Sequence, residues 1–161
     1  DLDLARFLLG EEVTEVTATG SRLVNPALMD ECNDYDTVVV ILKSVSGKQA
    51  VITNSREAVY GYDQRIELLG SKGMLVTDNH HNHTMKKYLA TETNVSSPLQ
   101  HFFIERYGEA FDIEISKFVD AIENGAPVPV GFEDGRLALL LADACFKSVA
   151  EKRTVLTSEF A

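Results

Sequence analysis

The segment from Asp36 to Arg56 constrains the fold most. Asp36 to Ser44 carries Thr37-Val38-Val39-Val40-Ile41-Leu42, a β-branched and aliphatic run that suits a pleated, packed surface and little else. Ser46-Gly47-Lys48 turns the chain, and Gln49 to Arg56, with Ala50-Val51-Ile52, returns as an antiparallel partner. A hairpin this apolar commits the chain to a sheet, and its neighbours read as further strands. Glu12 to Leu23 alternates imperfectly, as a half-exposed first strand does. Residues 62–69 alternate Arg65 and Glu67 against Ile66 and Leu68. Gly70-Ser71-Lys72-Gly73 turns the chain into Met74 to Thr77, and Lys86 to Thr93 is expected to pair as well. Asn25 to Asp34, acidic and without periodicity, reads as a loop, as do residues 94–101 around Pro98.

Helical periodicity brackets the strands. Asp1 to Leu9 places Leu4, Ala5, Phe7 and Leu8 on an apolar face, with Gly10 as a C-terminal stop. The opening reads as the interior of an element, as in an excised domain, and shows no signal peptide. From Phe103 the period becomes that of a helix, with Tyr107, Phe111, Ile115, Phe118 and Ile122 on one face and Asn124-Gly125 at the end. Pro127 and Pro129 enforce an extended link. A second helix runs from about Glu133 to Lys152, apolar nearly all round its middle, which predicts burial on more than one side. Strands segregated from helices predict a single α+β domain over residues 1–161. Its sheet is largely antiparallel and open, with helices on one face and the other face available for oligomerisation.

Composition narrows the partners. The 161 residues carry a net charge of −10, so a phosphate backbone is repelled and nucleic acid is not an expected partner. No run approaches the roughly 20 apolar residues of a membrane span. Cys32 and Cys145 stand far apart and suggest no disulfide framework, so a reducing cytoplasm is the expected location.

Residues 54–65, Asn-Ser-Arg-Glu-Ala-Val-Tyr-Gly-Tyr-Asp-Gln-Arg, are too polar and aromatic for a mere connection. Tyr60 and Tyr62 flank Gly61, pairing rigid amphipathic phenols with a residue that permits close backbone approach. This reads as a surface for a hydroxyl-rich ligand. Composition leaves four residues open. Asp3 stabilises a helix terminus or binds a ligand, Tyr60 and Tyr62 fill a sheet edge or a site, and Tyr107 is a core residue or a pocket one. His80-His81-Asn82-His83 sits where an exposed loop is expected and lacks the convergent set a metal wants. The acid pairs Asp112/Glu114 and Glu133/Asp134 read as structural. Gly70-x-x-Gly73 lacks the strand-to-helix context of a phosphate loop, so no nucleotide site is expected within these residues. No nucleophile elbow or zinc motif is present.

Asp1-Leu2-Asp3-Leu4-Ala5-Arg6-Phe7-Leu8-Leu9-Gly10 and Phe102-Phe103-Ile104-Glu105-Arg106-Tyr107 closely resemble the C-terminal domain of the inositol 2-dehydrogenase branch of the glucose-fructose oxidoreductase / inositol dehydrogenase / MocA-like family. Ile66-Glu67-x-x-Gly70-x-Lys72-Gly73 and Glu133-Asp134-Gly135-Arg136 are similar to the family's general pattern, and Tyr60 to Arg65 is closer to the inositol branch. The resemblance covers nearly the whole chain. It implies an N-terminal Rossmann domain, absent from this chain, that holds NAD or NADP and supplies a catalytic lysine. It further implies a catalytic histidine directly before Asp1 and an aspartate upstream, leaving no catalytic residue within these residues. The implied activity of the full-length enzyme is oxidation of a polyol's secondary alcohol by hydride transfer. The implied substrate residues are Asp3, on the histidine's helical face, Tyr60, Tyr107 and Arg56, with Tyr62 as second choice. Three readings follow: the substrate-binding and oligomerisation domain of such an enzyme, inactive alone; the same domain of another sugar oxidoreductase; and a stand-alone sugar-binding or dimerisation module.

Overall fold

The structure, a computed structural model, describes residues 1–160. The chain forms two units, one from Asp1–Glu57 and the chain from Val130 onward, the other from Ala58–Pro129.

The first unit is built on the expected hairpin, β2 (Thr37–Ser44) with β3 (Gln49–Ser55), joined by β1 (Val13–Ser21) and β8 (Val155–Leu156) in the order β3-β2-β1-β8. Every pairing is antiparallel. Register decides what each face carries. Val16 lies opposite Leu42 and Leu42 opposite Ala50, while Ala18 lies opposite Val40 and Val40 opposite Ile52. These rows form the covered face, where Val16 and Leu42 are wholly buried. The alternate rows, Thr17–Ile41–Val51 and Thr19–Val39–Thr53, form the other face. There Ile41 is 43% and Val51 65% exposed, so the face is apolar and open.

Two helices cover the first face. In α1 (Leu2–Leu9), Ala5 and Leu9 are buried one turn apart, and Gly10 closes the helix at φ 68° with its N–H donated to the Arg6 carbonyl. In α5 (Phe132–Glu151), Leu141, Ala144 and Ser148 form the buried stripe. The sequence predicts burial of α5 on several sides. Leu139 is nonetheless 64% exposed, although the sheet, α1 and the turn at Thr157–Phe160 all pack against this helix within the unit.

Residues 25–34, expected as a loop, contain a helix, α2 (Pro26–Cys32). Pro26 occupies its first turn, and the Asn25 side chain accepts from the Leu28 N–H at 3.2 Å. Asp36, expected inside the strand, ends just before it and is buried. Its carboxylate accepts from the backbone N–H groups of Leu23, Val24 and Asn25 at 2.8–2.9 Å and from the Thr37 hydroxyl. Burial opposes ionisation, yet these donors outweigh it and hold the carboxyl below its ordinary range.

In the second unit β4 (Ile66–Gly70) and β5 (Gly73–Thr77) form a separate two-stranded hairpin, and β6 (Lys86–Lys87) pairs with β7 (Val95–Ser96). The expected single sheet of five or six strands is therefore divided. Residues 94–101, expected as loop, supply β7 and a bridge between His81 and Leu99. The helix expected from Phe103 breaks at Tyr107 into α3 (Phe103–Arg106) and α4 (Gly108–Asn124). Its apolar stripe is not buried: Ile115 and Ile122 are each 65% exposed. Thr157–Phe160 form a short 3-10 turn, and Ala161 lies outside the described residues.

Candidate functional site

In the first unit Asp3 stands in the first turn of α1. Arg6, one turn on and buried, donates to Asp3 Oδ1 at 2.7 Å. Arg6 also grips Glu12 with a two-pronged fork, Nε to Oε2 at 2.9 Å and Nη2 to Oε1 at 2.8 Å. Its guanidinium further reaches the start of α5 at the Asp134 carbonyl, 3.4 Å away. The Glu12 hydrogen bond, opposed by burial, holds Glu12 below the ordinary carboxylate range. Asp1 accepts from the Asn54 amide at 2.6 Å.

Asp1, Asp3 and Asn54 supply polar groups to a cavity of about 470 Å³ whose apolar lining includes Val40, Ile52 and Phe146. The volume suits a small ligand. Cys145 also lines it, and burial pushes its thiol up to about 11, which keeps it protonated. Arg56 lies outside this lining. Its backbone N–H is donated to the Asp36 carbonyl at 2.8 Å, and its exposed side chain makes no hydrogen bond among the described residues.

In the second unit Tyr60 and Tyr107 fall into two separate clusters. The Tyr60 hydroxyl donates to Asp63 Oδ2 at 2.5 Å. Arg65 grips the same carboxylate through Nε and Nη2 at 2.8 and 2.9 Å, and the Asn79 amide reaches it at 2.7 Å. The Arg65 hydrogen bonds, against the effect of burial, hold Asp63 well below the usual carboxylate range, while donation to Asp63 raises the Tyr60 phenol. Tyr107 meets Tyr62 instead, edge to face with ring centroids 5.7 Å apart, and the Arg106 guanidinium lies 5.4 Å from the Tyr107 ring. Burial first, then the contact with Tyr62, pushes the Tyr107 phenol up to about 12. Arg106 Nε and the Oε1 of Gln100, whose backbone carbonyl takes the Tyr62 N–H, are buried without a hydrogen-bond partner among the described residues. Gly61 adopts φ 122°, and a Cβ there would meet the Leu99 Cβ at 2.8 Å. Only glycine lets this loop lie against residues 99 and 100, where the Tyr62 N–H is donated to the Gln100 carbonyl.

The sequence thus points to Asp3 and the Tyr60–Tyr62 stretch but misses Arg6, Asp63 and Asn79. Arg6 is signalled by its three-residue spacing from Asp3 on a helix, whereas no helical spacing links Asp63 to Tyr60. Nothing local signals Asn79, which reaches Asp63 from across the β4–β5 hairpin.

A strand–turn–helix runs from β1 into α2. Its backbone N–H groups at Leu23, Val24 and Asn25, which a phosphate would need, are already held by Asp36. Among the described residues no three His, Cys, Asp or Glu side chains converge as metal ligands. His81 Nδ1 lies 2.7 Å from the Ser97 carbonyl. No helix of the described residues is long and apolar enough to cross a membrane.

Residues 1–157 match the model of the oxidoreductase family, C-terminal alpha/beta domain, and the chain belongs to that family. It is 51% identical over 156 residues to the inositol 2-dehydrogenase of Rhizobium meliloti (strain 1021), covering 96% of this chain and 46% of that protein. A crystal structure of a myo-inositol dehydrogenase from Corynebacterium glutamicum superposes with a TM-score of 0.91 at 44% identity, over 97% of this chain and 46% of that one. The scyllo-inositol dehydrogenase of Lactobacillus casei, solved with NAD(H) and scyllo-inositol bound, superposes with a TM-score of 0.86 at 25% identity, over 98% and 46% of the two chains. The chain spans about half the length of the curated relatives it matches.

Proposed function

We propose that this chain is the substrate-binding and oligomerisation domain of an NAD-dependent, inositol 2-dehydrogenase-like oxidoreductase, which converts a secondary alcohol of a polyol to a ketone. The 51% identity to an inositol 2-dehydrogenase over 96% of the chain carries this reading. The nicotinamide chemistry belongs to a Rossmann domain of the whole protein, in keeping with the closure of the β1-to-α2 turn by Asp36.

The role left to these residues is to read hydroxyl groups. Asp3 offers a carboxylate as acceptor at the rim of the cavity. Tyr107, with its phenol held protonated, donates and accepts. We place Tyr60 and Arg56 in the same recognising set. Tyr62 joins it on the strength of its contact with Tyr107. Such a set discriminates stereoisomers, because a hydroxyl turned the wrong way leaves a buried polar group unpaired.

The open face bearing Val39, Ile41 and Val51 is the self-association surface, an apolar patch suited to an isologous contact. Two unpaired cysteines suit a reducing cytoplasm. Sedimentation of Val51→Lys as a smaller species than the parent supports this face, and a parent that runs as a clean monomer at micromolar concentration removes it.

The test is turnover by the whole protein with NAD, offered inositols and aldoses in parallel. NADH formation with an inositol at a kcat/KM well above that with aldoses is expected. Preference for an aldose points to the related sugar oxidoreductase, and no reduction with either to a binding module. The 161 residues alone are expected neither to bind NAD nor to turn over.

A further inference from the structure

We infer that Arg6 is a positioning residue for polyol recognition: its guanidinium, fixed by Glu12 and the start of α5, holds one oxygen of Asp3 so that the other faces the ligand. This rests on the reading of Asp3 as a substrate residue.

Arg6 is only 8% exposed, an uncommon place for an arginine unless every donor is used. Its donors are indeed used. Nε and Nη2 grip Glu12, Nη1 takes Asp3 Oδ1 at 2.7 Å and the Asp134 carbonyl at 3.4 Å, and Nη2 also approaches Asp134 Oδ1 at 3.5 Å. Asp134 is itself fixed, since its other oxygen accepts the Gly131 N–H at 2.8 Å at the head of α5. The planar fork therefore has no freedom to rotate.

One cation faces three carboxylates, so the network is richer in acceptors than a plain structural pair requires. The surplus lies at Asp3, whose side chain is 45% exposed against 8% for Arg6. Asp3 Oδ2 makes no hydrogen bond among the described residues, while Oδ1 is taken by Arg6. The carboxylate is thus pinned at one oxygen and free at the other, at the edge of a cavity of about 470 Å³. A hydroxyl donor meets an acceptor already in place, and preorganisation of that kind lowers the entropy lost on binding.

The experiment is a double-mutant cycle in the whole protein, Arg6→Lys against Asp3→Asn, read as KM and kcat for the polyol together with Tm. A lysine keeps the charge but cannot grip Glu12 with two prongs and hold Asp3 at once. Arg6→Lys is expected to raise KM about tenfold with kcat changed less than about twofold, as loss of uniform binding does. In the Asp3→Asn background the same change is expected to add less than about twofold, because the two residues act as one unit. Glu12→Gln, which touches Arg6 but not Asp3, is expected to raise KM in the same direction by about threefold, and it carries the cycle where Arg6→Lys does not fold. An equal KM effect with and without the Asp3 carboxylate, or a lower Tm at unchanged KM, overturns the positioning role and leaves the Asp3 reading intact. An unchanged KM in Asp3→Asn overturns both.

Discussion

Replacing Ser148 by alanine removes a hydroxyl that closes two backbone groups at once. Ser148 is 1% exposed on the buried stripe of α5. Its Oγ accepts the Ala18 N–H at 2.9 Å and donates to the Arg153 carbonyl at 2.6 Å. Strand β8 pairs with Glu15 and Val16, so beyond them the outer edge of β1 has no strand partner among the described residues, and Ser148 serves in its place at Ala18. In Ser148→Ala the Ala18 N–H becomes an orphan between sheet and helix, while the Arg153 carbonyl, on an exposed residue, turns to water. One buried orphan costs about 1–3 kcal/mol, so the substitution is expected to destabilise the first unit by about 2 kcal/mol. With a urea slope of about 1–3 kcal/mol per molar, that is a midpoint shift on the order of 1 M. The chain has two units, so the assay follows amides within β1 by hydrogen exchange in urea rather than one whole-chain signal. The Ala18 amide is expected to lose most of its protection. Ser116→Ala, whose exposed hydroxyl only bonds back to the Asp112 carbonyl, is the control and stays within about 0.5 kcal/mol. A loss below about 0.5 kcal/mol in Ser148→Ala, with Ala18 still protected, refutes the reasoning.

Three further outcomes follow from the second unit. Gly61→Ala places a Cβ at φ 122° and 2.8 Å from the Leu99 Cβ, and is expected to destabilise this unit by about 2–4 kcal/mol by urea unfolding; a neutral effect contradicts the assigned backbone. The raised Tyr107 phenol leaves stability unaffected below its ordinary value near about 10. Stability then falls as pH rises from there toward about 12, because the unfolded chain ionises first. In an alkaline absorbance titration Tyr107→Phe is expected to remove the last phenol to ionise, and a set of tyrosines all titrating at the ordinary value contradicts this. Asp63, lowered by Arg65, contributes stability above the ordinary carboxyl range that is lost as pH falls through and below it. The difference in Tm between the parent and Asp63→Asn is therefore expected to narrow from neutral to acid pH, and a gap that widens has the wrong sign.

Local signals carried the architecture well. The β2–β3 hairpin, the end of α1 at Gly10 and the run of α5 follow from patterns confined to one element. Elements defined by distant partners were not legible. Strand β8 has two residues, and its meaning comes from β1, well over a hundred residues earlier in the chain. Successive hairpins do not announce whether they share a sheet, so the separation of β4–β5 had no sequence marker. Helix α2 did have one, Asn25-Pro26, but its acidic, aperiodic residues obscured it. The site divides the same way. Asp3 and the Tyr60–Gly61–Tyr62 stretch stand out by residue type, and the i,i+3 spacing of Asp3 and Arg6 was readable. That Arg6 also joins Glu12 and Asp134, and that Asp63 rather than a ligand takes the Tyr60 hydroxyl, depended on folded geometry.

The most direct measurement is a crystal structure of the whole protein with an inositol bound. The expected result is a polyol hydroxyl within about 3 Å of Asp3 Oδ2, with Asp3 Oδ1 still held by Arg6. An inositol whose hydroxyls meet neither Asp3 nor any phenol of this chain contradicts the claim that these residues read the substrate.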